Sequence, residues 1–81
     1  MLPDLDKIKG VHPGAVLKRA LKKRGTTASD LARTIDEHKQ TISAILNGRR
    51  AINAKLSIKL GDVFSVQPDY FMLLQASYDV Q

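Results

Sequence analysis

No cysteine occurs among the 81 residues, which removes disulfides, thiolate metal sites and thiol nucleophiles from consideration and fits a reducing compartment. Long apolar runs are missing too. Nothing approaches the length of a membrane span, and Met1-Leu2-Pro3-Asp4 does not open like a secretory signal, so a soluble, cytoplasmic protein with no membrane partner is expected. Aromatic residues are few, and all four (Phe64, Tyr70, Phe71, Tyr78) lie at or after Phe64. From Leu60 onward there is no base at all: the last lysine or arginine is Lys59. A chain this short buries only a modest core, and without disulfide or metal staples it leans on compact helix packing and on a partner subunit.

What is present is mostly positive charge, unevenly placed. Up to Lys59 there are thirteen bases against five acids, a net +8; from Leu60 onward three acids stand alone, a net −3. Confining the bases to one part of the chain favours a polyanionic partner for the first two-thirds over a merely solvated surface. The acidic tail then needs another role.

Hydrophobic spacing predicts an all-α domain. Residues 1–10 mix Pro3, Gly10 and alternating charges and read as an N-terminal arm, preferably flexible, with a short strand around Ile8 to Val11 as the alternative. The folded domain is placed at 11–81. Pro13 suits the first position of a helix reaching Arg24, with Val16, Leu17, Ala20 and Leu21 as its apolar stripe and Gly25 as its terminator. Thr27 with Asp30 forms a capping box for a second helix, carrying Leu31, Ala32 and Ile35 and stopping at Asp36, a residue that tolerates the left-handed conformation. A third helix is expected from Lys39 to Leu46, with His38 at its cap, Ile42, Ile45 and Leu46 inward, and Asn47-Gly48 as its stop. Asn53 can cap a fourth helix to Phe64, in which Gly61 permits a close neighbour, and a fifth is expected from Pro68. The expected fold class is all-α, a compact five-helix bundle with a helix-turn-helix.

The second helix, the tight turn and the third helix form the informative unit. If Ile42 and Ile45 face the core, the opposite face carries Lys39, Gln40, Ser43, Ala44 and Asn47. Gln40 can bond an adenine bidentately, Lys39 can donate to guanine, and Ala44 or Thr41 can meet a thymine methyl. A helix of this size fits the major groove of double-stranded DNA. Arg49 and Arg50, directly after it, are placed to hold phosphate.

Other chemistry finds little support. His12, followed by Pro13-Gly14, reads as a structural residue where a helix begins. Asp36-Glu37-His38 offers metal-ligand types without a second histidine at ligand spacing, so no metal or other cofactor is expected. No nucleophile triad, glycine-rich phosphate loop or inward carboxylate pair is apparent, so enzyme activity is not expected.

Leu31-Ala32, Thr41-Ile42-Ser43 and Ile45-Leu46-Asn47-Gly48-Arg49-Arg50 resemble the helix-turn-helix of the Cro/cI or XRE family. Val11-His12-Pro13-Gly14 and the tail from Tyr70 to Asp79, with its aromatic pair, Leu-Gln and closing Tyr-Asp, are more specific and resemble the two ends of HigA-type (plasmid-maintenance antidote) antitoxins. The resemblance runs from about Val11 to Asp79 and implies a lambda-repressor-like DNA-binding domain. It implies a bacterial antitoxin that neutralises an mRNA-cleaving, HigB-type toxin by direct binding. It also implies repression of the antitoxin's own operon, as a homodimer at a palindromic operator on the nucleoid. The family usually has an acid where Ala15 stands, a phosphate-touching glutamine where Ala28 stands, and a glycine with an apolar residue where Asp36-Glu37 stands. Thr27 or Ser29 would then replace the glutamine's contact, with Arg33 on the same helix, and Glu37 must turn away from DNA or weaken binding.

Five successive apolar positions, Tyr70 to Leu74, cover more than one helix face, and this predicts a dimer. Its interface is expected at Ile58, Tyr70, Met72, Leu73 and Tyr78, while Phe64 and Phe71 complete the core. Without a disordered extension, toxin binding is expected on folded surface. A stand-alone repressor without a toxin and a protein-interaction module that binds no DNA are the two remaining readings.

Overall fold

The computed structural model describes residues 2–8 and 10–81. A 3-10 turn, Leu5–Ile8, precedes five helices: α1, Pro13–Arg24; α2, Ala28–Thr34; α3, Lys39–Leu46; α4, Ala54–Phe64; and α5, Tyr70–Asp79. Among the described residues there is no strand. One core runs through all five helices. Leu17, Ile42, Ile45, Leu60 and Phe71 are fully buried in it, and Leu31, Ile52 and Leu74 nearly so.

Local chemistry sets most boundaries. Pro13 opens α1 while the His12 imidazole Nδ1 accepts the Gly14 N–H at 2.9 Å, so the histidine is a cap, as its setting suggested. Gly25 closes the helix at φ 65°. The Thr27 hydroxyl accepts the Asp30 N–H at 3.1 Å, completing the capping box on α2. That hydroxyl, then the Thr27 amide and Arg33, holds the Asp30 carboxyl below its ordinary pKa.

α2 ends at Thr34, two residues before the expected Asp36. Asp36 itself is the left-handed residue of the turn, at φ 55°. His38 occupies the cap position of α3 without a side-chain bond to the helix.

α5 begins at Tyr70 rather than Pro68, because Pro68-Asp69 forms the turn leading into it and Asp69 gives no side-chain cap. Ser57, wholly buried on α4, does that work instead. Its hydroxyl donates to the Pro68 carbonyl at 2.6 Å and accepts the Met72 N–H at 3.2 Å. Gly61 brings α4 close to the same connection: a Cβ there would lie 3.0 Å from the Gln67 carbonyl oxygen.

Among its described residues the segment before α1 holds no strand, the alternative expected around Ile8 to Val11. Its 3-10 turn lies against α5, where the Tyr70 hydroxyl donates to the Pro3 carbonyl at 2.6 Å and the Gly10 N–H to the Ser77 hydroxyl at 3.2 Å. Leu2, Leu5 and Ile8 are half-buried there, which explains why an apparently charged stretch folds down. Burial, with Asp4's charge added, raises the Tyr70 phenol pKa and so favours the protonated donor.

Candidate nucleic-acid interface

α3 is anchored on one side and open on the other. Ile42 and Ile45, three residues apart, are both fully buried, whereas Lys39, Gln40 and Asn47 are exposed and Thr41, Ser43 and Ala44 half-buried. Of the six expected base-reading residues, Lys39, Gln40 and Asn47 are thus open to solvent, and Thr41, Ser43 and Ala44 only partly so. Leu46, expected inward, is half-buried. Gly48 at φ 74° turns the chain sharply, and the Arg49 N–H returns to the Ala44 carbonyl at 2.9 Å. Arg49 and Arg50 therefore follow directly on the open helix, exposed and without an ion-pair partner among the described residues.

The α2 residues expected at phosphate are less uniform. Ser29 is exposed on the first turn. Thr27 is exposed but its hydroxyl is occupied by the cap, and the Arg33 guanidinium bonds the Asp30 carboxylate at 2.5 Å. Both side chains of that ion pair are at least half exposed, so it is weak and can be exchanged for phosphate.

Two features that position α3 escape a linear reading. Gly14 lies against its end: a Cβ at that position would sit 1.8 Å from the Ile45 carbonyl oxygen. The His12 ring in turn meets the Tyr78 ring edge-on at 4.8 Å between centroids. The His12-Pro13-Gly14 and Tyr78-Asp79 segments, sixty-odd residues apart in sequence, thus meet behind the open helix.

Glu37 resolves the apparent conflict at the turn. Its carboxylate receives the Lys59 ammonium of α4 at 3.2 Å, with both side chains mostly buried. The charge that would oppose phosphate is drawn inward and neutralised. Replacing Lys59 by Met is therefore expected to weaken DNA binding several-fold, and adding Glu37→Gln to that variant should restore it; filter binding of the three proteins checks this. Unchanged affinity in Lys59→Met would show that Glu37 does not act on DNA at all.

Of the residues expected between subunits, Ile58, Leu73 and Tyr78 are 57%, 47% and 42% exposed, and Met72 is half-buried. Tyr70 departs from expectation. It is 8% exposed, packs edge-on against Phe71, and uses its hydroxyl within its own chain, so it belongs to the core. No helix among the described residues is long and apolar enough to cross a membrane.

Residues 17–71 match the family model described as Helix-turn-helix. Virulence-associated protein A' of Dichelobacter nodosus is 36% identical over 70 residues, covering 85% of the chain and 61% of that protein. The chain thus spans about three-fifths of that curated relative. An addiction module antidote protein of a HigA family from Coxiella burnetii shares the fold with a TM-score of 0.83 at 32% identity, over 89% of this chain and 79% of that one. The Pseudomonas aeruginosa antitoxin HigA, solved with the higBA promoter, aligns with a TM-score of 0.84 at 29% identity, over 88% and 78%. With residues 17–71 matched by the family model, the fold shared with a HigA-family antidote protein, and the His12 cap packed on Tyr78 of the tail, the chain belongs to the XRE-type helix-turn-helix family, in its HigA-like branch.

Proposed function

We propose that the protein is an antitoxin that represses its own operon by placing α3 in the major groove of a palindromic operator, and that neutralises a HigB-type toxin by direct binding. The carrying observation is the two-sided character of α3: two buried isoleucines fix it, and the opposite face offers Lys39, Gln40 and Asn47 to solvent with Arg49-Arg50 adjoining. Gln40 and Lys39 supply base-edge contacts, with Thr41, Ser43 and Ala44 close to the groove floor. Arg49, Arg50 and Ser29 hold phosphate, joined by Arg33 and Thr27 once their local bonds are exchanged. The Pseudomonas aeruginosa antitoxin solved with its promoter supports the DNA half of this reading, and the likeness to HigA-family antidote proteins supports the toxin half.

A gel shift on the DNA upstream of the gene tests it. Gln40→Ala should cost about 1–3 kcal/mol of preference for the operator over unrelated DNA. Arg49→Ala should weaken all sequences alike and reduce the salt slope by about one unit. If wild type shows no salt-sensitive retardation, a protein-interaction module replaces this reading. Co-expression with a toxin encoded beside it tests the second half, and growth arrest unrelieved by the protein would leave a stand-alone repressor.

The palindrome requires two subunits. The proposed interface uses Ile58, Met72 and Leu73, with Tyr78 at its edge. Leu73→Lys is expected to shift sedimentation at micromolar concentration from dimer to monomer and to lower affinity for the full operator at least tenfold while sparing a half-site. A wild-type monomer throughout that range would rule the interface out.

A further inference from the structure

Between the N-terminal segment and α1 lies a hollow of about 340 Å3, at the small end of the roughly 300–1,000 Å3 typical of sites for small organic ligands. Leu2, Ile8, Val16 and Ala20 give it an apolar lining, and Arg19 and Lys23, one turn apart on α1, also line it. No acid lines it. Among the described residues neither cation has an ion-pair partner. Two like charges four residues apart on a helix repel each other, and an anion between them relieves that cost. An arginine also presents two parallel donors that match a carboxylate.

We propose that this hollow is a binding site for a free medium-chain carboxylate. The alkyl tail lies against Leu2, Ile8, Val16 and Ala20, and the carboxylate is held by Arg19 and Lys23. Neither half suffices alone: among the described residues the only polar side chains of the lining are those two exposed cations, which hold a small anion weakly in water, and an uncharged head accepts from them without the charge that strengthens a carboxylate's bonds. The ligand also gives the N-terminal segment a second attachment to the body, on α1, beside its bonds to Tyr70 and Ser77 on α5. The site shares no residue with the open face of α3, so its failure and the failure of the DNA reading are separable.

The experiment is a titration of the full chain, 15N-labelled, with sodium decanoate kept below its micelle concentration. Expected are saturable amide shifts centred on residues 2–8 and 15–23, with a Kd on the order of 100 µM. The paired change Arg19→Ala with Lys23→Ala should weaken binding at least tenfold without lowering Tm, since both side chains are exposed. Butanoate, which keeps the head, and decanol, which keeps the tail, should each bind at least tenfold more weakly. The proposal is overturned by shifts centred on Ile58 and Leu73, by unaltered affinity in the paired variant, or by absence of saturation. Co-sedimentation with phosphatidylglycerol vesicles in the absence of any decanoate site would likewise overturn it, pointing to a membrane surface instead.

Discussion

Gly14→Ala is expected to lower stability by about 3 kcal/mol, because the added methyl would stand 1.8 Å from the Ile45 carbonyl oxygen. The obstacle is backbone, which has no rotamer by which to step aside. Gly14 lies in α1 and does not need a positive φ, so the exchange would otherwise gain roughly 1 kcal/mol from helix propensity. The sign of the net effect therefore isolates the contact. In a domain of this size the loss corresponds to a fall in Tm of roughly 12–24 °C, measurable by circular dichroism. Because the methyl pushes on the C-terminal turn of α3, affinity for DNA should also fall at temperatures where the variant is still folded. Gly61→Ala is the control. There the nearest atom is 3.0 Å away, a few tenths of an ångström from tolerable, so the loss should be much smaller. Equal stability of Gly14→Ala and wild type would mean that α1 and α3 do not approach this closely.

The contrast between these glycines marks what a linear reading can reach. Period, caps and terminators are local, and they place α1, α3 and α4, the left-handed Asp36, and the exposure of Lys39, Gln40 and Asn47. Where the outcome depended on distant residues, the reading stopped short. The start of α5 shifted because its capping oxygen comes from Ser57, thirteen residues before Tyr70 on another helix. The charged segment before α1 folds down where Tyr70 donates to the Pro3 carbonyl and Ser77 accepts the Gly10 N–H, which no pattern within residues 1–10 could announce. Tyr70 looked like surplus apolar surface for the same reason: its hydroxyl partner, Pro3, is sixty-seven residues away. Glu37, by its charge alone, opposes DNA binding, and only the fold sets Lys59 beside it. Charge and hydropathy state what a residue prefers; only the fold states what it meets.

Gln75 ties α5 to the connection that follows α3. It is 5% exposed within an apolar helix, its carbonyl accepting the Ile52 N–H at 2.9 Å and its amide donating to the Asp79 carboxylate at 2.9 Å. Ile52 sits in the connection that carries Arg49 and Arg50 away from α3, and its amide has no helical partner to return to. Gln75→Ala removes the acceptor and leaves a void, with an expected cost of about 3 kcal/mol. Gln75→Leu fills the void but still strands the buried N–H, for about 2 kcal/mol. The difference between the two variants separates packing from hydrogen bonding. Both should accelerate exchange of the Ile52 amide far more than that of Leu17 or Leu60 in the helical core, because the connection opens before the domain does. Both should also loosen Arg49 and Arg50, weakening phosphate contacts while leaving the Gln40-dependent preference among sequences intact. Uniform acceleration of every core amide would instead make Gln75 a part of global stability alone, with no separate hold on the connection that follows the reading helix.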